Sequence, residues 1–182
     1  MPMEFIQNEI SGLLVIKPDI FRDDRGYFFE SFNQDKFDEE GLDLTFVQDN
    51  ESCSKKGVVR GLHFQVPPFE QGKLVRVIRG SILDVAVDIR KGSPTFGKWS
   101  SVVLSGENKW MYWIPPGFAH GFSVLEEDSV VMYKCTNVYH KDAERSIIWN
   151  DPDLKIDWGT AHPIVSEKDN KAPFFKEVGS PF

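Results

Sequence analysis

Two histidines, a lysine and two tyrosines on short apolar segments carry the chemistry open to this chain. His63 lies in Val58-Val59-Arg60-Gly61-Leu62-His63-Phe64-Gln65, and Lys73 follows in Gln71-Gly72-Lys73-Leu74-Val75-Arg76-Val77. A neutral imidazole near pH 7 suits proton removal, and a carboxylate beside it would fix its tautomer and stabilise the imidazolium. A lone histidine among apolar residues is more often structural. Here Gly61 lets backbone or ligand approach closely, and Arg60 adds positive charge. For Lys73 the plain reading is a solvated charge at a strand edge. Its continuation Leu74-Val75 instead sets it at the mouth of a core, where an ammonium can stabilise the oxyanion formed when a proton leaves the carbon beside a ketone.

Tyr133, Cys135, Asn137 and Tyr139 alternate in sequence, so on one uninterrupted strand they share a face. That face is more polar than a packed core tolerates, which predicts a cavity lining; two aromatics packed in a β-sandwich is the blander alternative. A tyrosine, with a pKa of ~10, is protonated at neutral pH and can donate. His120 follows Pro115-Pro116-Gly117 and reads as a core or turn histidine, or as a metal ligand. No second histidine stands two residues after His63, and His63 with His120 is a poor ligand set where zinc or iron needs about three or four protein ligands. No metal is expected. Gly-rich dinucleotide fingerprints, Walker motifs and Gly-x-Ser-x-Gly elbows are absent.

The elements that must position these residues are mostly strands. Segments 73–78 and 82–89 flank Arg79-Gly80-Ser81, segments 99–104 and 110–114 flank residues 105–109, and segments 118–125 and 130–138 flank residues 126–129. Each reads as a β-hairpin, and many short strands at regular spacing predict an all-β sandwich or barrel. Helix is scarce. One short helix is predicted over 34–40, with Asn33 as N-cap and Gly41 as stop, and a second short helix or turn over 166–171, with Ser166 as N-cap.

A chain of 182 residues without repeat, low-complexity run or linker fits one domain spanning 1–182. At 41% hydrophobic and 13% aromatic it can bury a real core. The N-terminal Met1-Pro2-Met3-Glu4-Phe5 lacks the basic and apolar regions of a signal peptide, and no apolar run approaches a membrane span, so a cytoplasmic protein without a membrane partner is expected. Cys53 and Cys135 are too few for a disulfide framework. A net charge of −7 argues against nucleic acid as a partner, while leaving room for a small anion near Arg25, Arg60 and Lys73.

Taken in order and spacing, the His63 and Lys73 segments, Ile114-Pro115-Pro116-Gly117-Phe118-Ala119-His120-Gly121-Phe122, Gln48-Asp49-Asn50 and the Tyr133 to Tyr139 segment resemble the dTDP-4-dehydrorhamnose 3,5-epimerases nearly end to end. The resemblance implies a cupin-type jelly roll and a homodimer without metal or cofactor, acting on a dTDP-sugar through enolates. It implies that His63 is the base and that Asp169, in the C-terminal segment, holds it. Lys73 would stabilise the enolate, and Tyr133 would protonate the opposite face of the sugar. It further implies substrate contacts from His120, from Tyr139 stacked on thymine, from Arg25 on the diphosphate, and from Glu30, Gln48, Asn50, Arg60, Glu144 and Lys168. The Glu144 register is open, because Asp142 lies close by in Lys141-Asp142-Ala143-Glu144-Arg145. A single-carbon epimerase or ketoisomerase of deoxysugars on the same fold, and a non-catalytic sugar- or metal-binding cupin, are the alternative readings.

Overall fold

The alternating apolar segments form strands, and the computed structural model describes residues 2–182. The first strands are β1 (Met3–Gln7), β2 (Leu14–Pro18), β3 (Phe21–Asp23) and β4 (Gly26–Phe28), followed by helix α1 (Gln34–Glu39). Then come β5 (Gln48–Ser54), β6 (Val58–Gln65), β7 (Lys73–Arg79), β8 (Ser81–Asp88), β9 (Trp99–Ser105), β10 (Met111–Ile114), β11 (Phe118–Val124) and β12 (Ser129–Cys135). The chain closes with β13 (Glu144–Ser146), β14 (Ile164–Val165) and α2 (Glu167–Asn170). One sheet has the order β1-β2-β10-β7-β12-β5, and the other β13-β6-β11-β8-β9 with β14 parallel to β6. Strands β3 and β4 pair only with each other, as an arm.

None of the three expected hairpins forms as such. Between β5 and β13 every connection except β8 to β9 carries the chain from one sheet to the other. This is the jelly-roll winding. At the tightest corner only Gly80 separates β7 from β8, and a Cβ there would lie 2.2 Å from Ser129 Oγ and 2.8 Å from Ser129 Cα. Alternation reveals a strand and its turn but not which sheet the next strand joins. Val75 and Val77 of β7 and Ile82 and Ala86 of β8 face one shared core, so both partners show the same pattern.

That central core also takes Leu104, Tyr112, Phe122 and Val131. Two further layers cover the outer faces. Leu62, Val85, Ile147 and Trp158 pack on one, while Ile16, Leu74, Met111 and Phe37 of α1 pack on the other. Strands β8, β10 and β11 therefore read as near-continuous apolar runs, because they are buried on both sides. Burial of Phe37, at 0% exposure, is worth roughly 1.5–3 kcal/mol and explains a six-residue helix too short to stand alone. Asn33 occupies its N-cap without a side-chain capping bond. In α2, by contrast, Ser166 caps as expected, accepting from the Asp169 N–H at 3.1 Å. No helix is long and apolar enough to cross a membrane among the described residues.

Candidate active site

A cavity of about 300 Å³ opens between the sheets, lined by Gln48, Asn50, His63, Phe64, Gln65, Gln71, Lys73, Tyr133, Tyr139 and Glu144. Both sheets contribute. The sharpest local device is the crossing of β6 and β11. Gly61 has φ +118°, and a Cβ on it would stand 2.6 Å from Gly121 Cα; a Cβ on Gly121 would stand 2.7 Å from the Arg60 carbonyl oxygen. Two facing glycines thus bring the strands together at a bulge between His120 and Phe122, and set His120 directly opposite His63.

Each histidine is held by its own carboxylate. His63 Nε2 lies 2.6 Å from Asp169 Oδ1, and Gly61 N–H donates to Asp169 Oδ2 at 3.4 Å. Burial pushes the Asp169 carboxyl up, but these hydrogen bonds outweigh it and hold the group below its ordinary value, so it stays charged beside the ring. His120 Nε2 lies 2.6 Å from Asp84 Oδ1. Burial pushes His120 down, more than Asp84 pushes it up, and the ring is neutral.

Lys73 faces these groups across the cavity. Cys135 stands opposite it on β12, and its Nζ lies 5.8 Å over the Tyr133 ring. It makes no hydrogen bond or ion pair among the described residues. Burial pushes its ammonium below the ordinary lysine value, against the pull of Cys135, Asp84 and Glu144. Burial likewise raises Tyr133, which keeps its proton through the neutral range. An imidazole backed by a carboxylate, a lysine without a hydrogen bond among the described residues and a protonated phenol therefore converge on one space.

The remaining expected residues divide. Gln48 Nε2 donates to Asn50 Oδ1 at 3.1 Å, and Asn50 Nδ2 to Cys135 Sγ at 3.5 Å. Glu144 takes the cavity position rather than the exposed Asp142, and accepts from Tyr139 Oη at 3.0 Å and from Lys168 Nζ at 2.7 Å. Arg60 is exposed, with its guanidinium on Ser54 Oγ, yet its charge acts on Tyr133. Arg25 and Glu30 are not brought to this cavity. Arg25 lies on the β3–β4 arm, 90% exposed and paired with Asp23, and Glu30 pairs with Lys36. Tyr139 does reach the cavity but not by strand parity, since β12 ends at Cys135 and the ring is half exposed. Sequence reasoning missed Gln65, Gln71 and Asp84. Gln65 shares strand parity with His63, and Asp84 is a carboxylate set among Ile82, Leu83, Val85 and Ala86, so both left a signal.

The profile described as dTDP-4-dehydrorhamnose 3,5-epimerase matches residues 7–177. The chain belongs to that family. The dTDP-4-dehydrorhamnose 3,5-epimerase of Shigella flexneri is 54% identical, over 92% of this chain and 93% of its own. A Legionella pneumophila epimerase of the family, solved in complex with dTDP-4-keto-L-rhamnose, superposes with a TM-score of 0.94 at 50% identity, covering 97% of this chain and 95% of its own. A 3'-monoepimerase from Streptomyces bikiniensis, in complex with dTDP-quinovose, superposes at 0.88 with 35% identity, covering 92% and 86%. In the epimerase family the two carboxylate-held histidines are the feature of this chain to explain. Each ring is engaged by a single acidic residue, and among the described residues no group of three or more His, Cys, Asp or Glu side chains is placed to hold a metal ion.

Proposed function

We propose that the chain epimerises dTDP-4-dehydro-6-deoxy-D-glucose at C3 and C5, giving dTDP-4-dehydro-L-rhamnose. The observation that carries this is the convergence of the His63–Asp169 pair, Lys73 and Tyr133 on one cavity. The C4 ketone of the sugar acidifies both neighbouring carbons. His63 takes the proton from C3 or C5, the C–H electron pair becomes the C=C bond of the enolate while the C4 carbonyl π pair moves onto its oxygen, and the Lys73 ammonium stabilises that oxyanion. Tyr133 Oη then delivers a proton to the opposite face as the enolate collapses back to the ketone, Tyr133 regains a proton from solvent, and His63 releases its own to solvent before the second carbon reacts. Arg60, Gln48, Asn50, Glu144 and Lys168 hold sugar and nucleotide, Tyr139 stacks on thymine, and the buried His120, held by Asp84, stands opposite His63 rather than in the cavity lining.

The deciding experiment is NMR of that substrate in D2O with the pure protein. Deuterium entering at both C3 and C5 with inversion supports the proposal; entry at C3 alone makes the chain a single-carbon epimerase.

Lys73 gives the reading a pH signature. Its ammonium is the stabilising form, and burial lowers the pH at which it is lost, whereas burial raises that of Tyr133. The basic limb of the rate profile is therefore expected below the ordinary lysine value of ~10.4. Lys73→Arg keeps its charge at any such pH, so the limb moves upward while the rate at the optimum falls, because a planar fork replaces a point charge. A limb that does not move in Lys73→Arg assigns it to another group.

A cytoplasmic homodimer completes the proposal. The β3–β4 arm is docked through Tyr27, whose Oη accepts from Lys109 Nζ at 3.0 Å, yet Phe21, Tyr27 and Phe28 remain 50%, 52% and 62% exposed, a large apolar display. A second protomer covering it also gives Arg25 a cavity to serve. Sedimentation equilibrium giving twice the chain mass is the expected result.

A further inference from the structure

Past Cys135 the chain leaves the sheet, and after a last backbone bond from the Thr136 N–H to the Gly72 carbonyl at 3.0 Å the main-chain groups leading to Tyr139 lose the ladder that would have paired them. Three glutamines stand in. Gln71 Nε2 donates to the Asn137 carbonyl at 2.8 Å, and Gln65 Nε2 to the Val138 carbonyl at 3.1 Å. The Tyr139 N–H donates to Gln48 Oε1 at 2.8 Å, and the His140 N–H to Gln65 Oε1 at 2.7 Å. Four consecutive residues are thus gripped through their backbone, by side chains from β5, from β6 and from the approach to β7. An amide suits this task, since it offers a donor and an acceptor on one group, and Gln65 uses both here. Gln65 is 4% exposed and wholly committed, its nitrogen also donating to the Phe69 carbonyl at 2.5 Å.

We propose that Gln65 and Gln71, with Gln48, are positioning residues that preset Tyr139 at the cavity rim for the base of the nucleotide. The inference deepens the proposed function and rests on Tyr139 stacking against thymine. An aromatic ring on an unpaired segment would lose conformational freedom on binding; a ring held beforehand does not. None of the three glutamines needs to touch the base for this. Each acts through residues 137–140.

The test is a double-mutant cycle read by calorimetric binding of dTDP. Gln71→Met keeps the length and removes the amide, and is expected to weaken dTDP about 2- to 10-fold, as loss of one net hydrogen bond does. Amide hydrogen exchange at Val138, Tyr139 and His140 quickens, and turnover loses in KM more than in kcat. In a Tyr139→Ala background the same change costs no further affinity, because the ring it positions is gone. Additive losses would overturn the proposal, as would unchanged dTDP affinity in Gln71→Met alongside a weakened Tyr139→Ala. Full dTDP affinity in Tyr139→Ala instead removes the stacking itself, and the positioning role with it. Gln65→Met is expected to behave like Gln71→Met, and where it fails to fold, the half-buried Gln71 decides.

Discussion

Replacement of His63 by alanine is expected to abolish deuterium wash-in at both C3 and C5 while leaving dTDP affinity within about twofold. The loss should lie in the range of ~100- to 10,000-fold typical of a general base. Both carbons should fail together because one imidazole faces the cavity with a carboxylate behind it, whereas the neutral His120 ring is sequestered, at 6% exposure, against Asp84. Nucleotide affinity should survive because His63 is placed to act on the sugar carbons, whereas Tyr139 carries the thymine contact. Unchanged exchange in His63→Ala would remove the base; loss at C3 with retention at C5 would assign the second proton to another group. Asp169→Asn probes the same pair from behind. It keeps the shape but removes the charge that favours the protonated ring, so the rate should fall by less than in His63→Ala and the acidic limb of its profile should move to lower pH.

His63 stood out in the sequence through its own run, whereas Asp169 came through the family resemblance. The Ser166 cap that folds α2 is set within a few residues, but the contacts are not: Gly61 meets Gly121 of β11, and Asp169 reaches His63 from 106 residues away. What depends on long-range winding was not legible. The turns at Gly80, at residues 105–109 and at residues 126–129 were visible as turns, but whether each returns to its own sheet is decided by cores shared between distant strands. The same limit hid the glutamines. Gln65 and Gln71 look like ordinary polar residues until β12 stops at Cys135 and leaves unpaired backbone for them to hold. Arg25 shows the opposite case: a motif that matches a family contact, on an arm that does not fold back onto its own cavity.

Tyr133→Phe is expected to separate proton removal from inversion. The substitution deletes one hydroxyl and keeps the ring, on a residue laddered between Asn50 and Val75 and with the Lys73 Nζ 5.8 Å over the ring. His63, Asp169 and Lys73 are untouched, so the enolate still forms, and a proton from His63 can return only to the face it left. Deuterium wash-in with retention should therefore persist, while net conversion falls by ~100- to 10,000-fold as for loss of a general acid. The burial that raises Tyr133 also supports its role, because a phenol kept protonated in the cavity is available as a donor through the neutral range. The measurement is the ratio of exchange to inversion at each carbon, followed by NMR in D2O. If that ratio in Tyr133→Phe equals that of the parent, Tyr133 is a packing residue and the opposite-face proton comes from water or from another side chain.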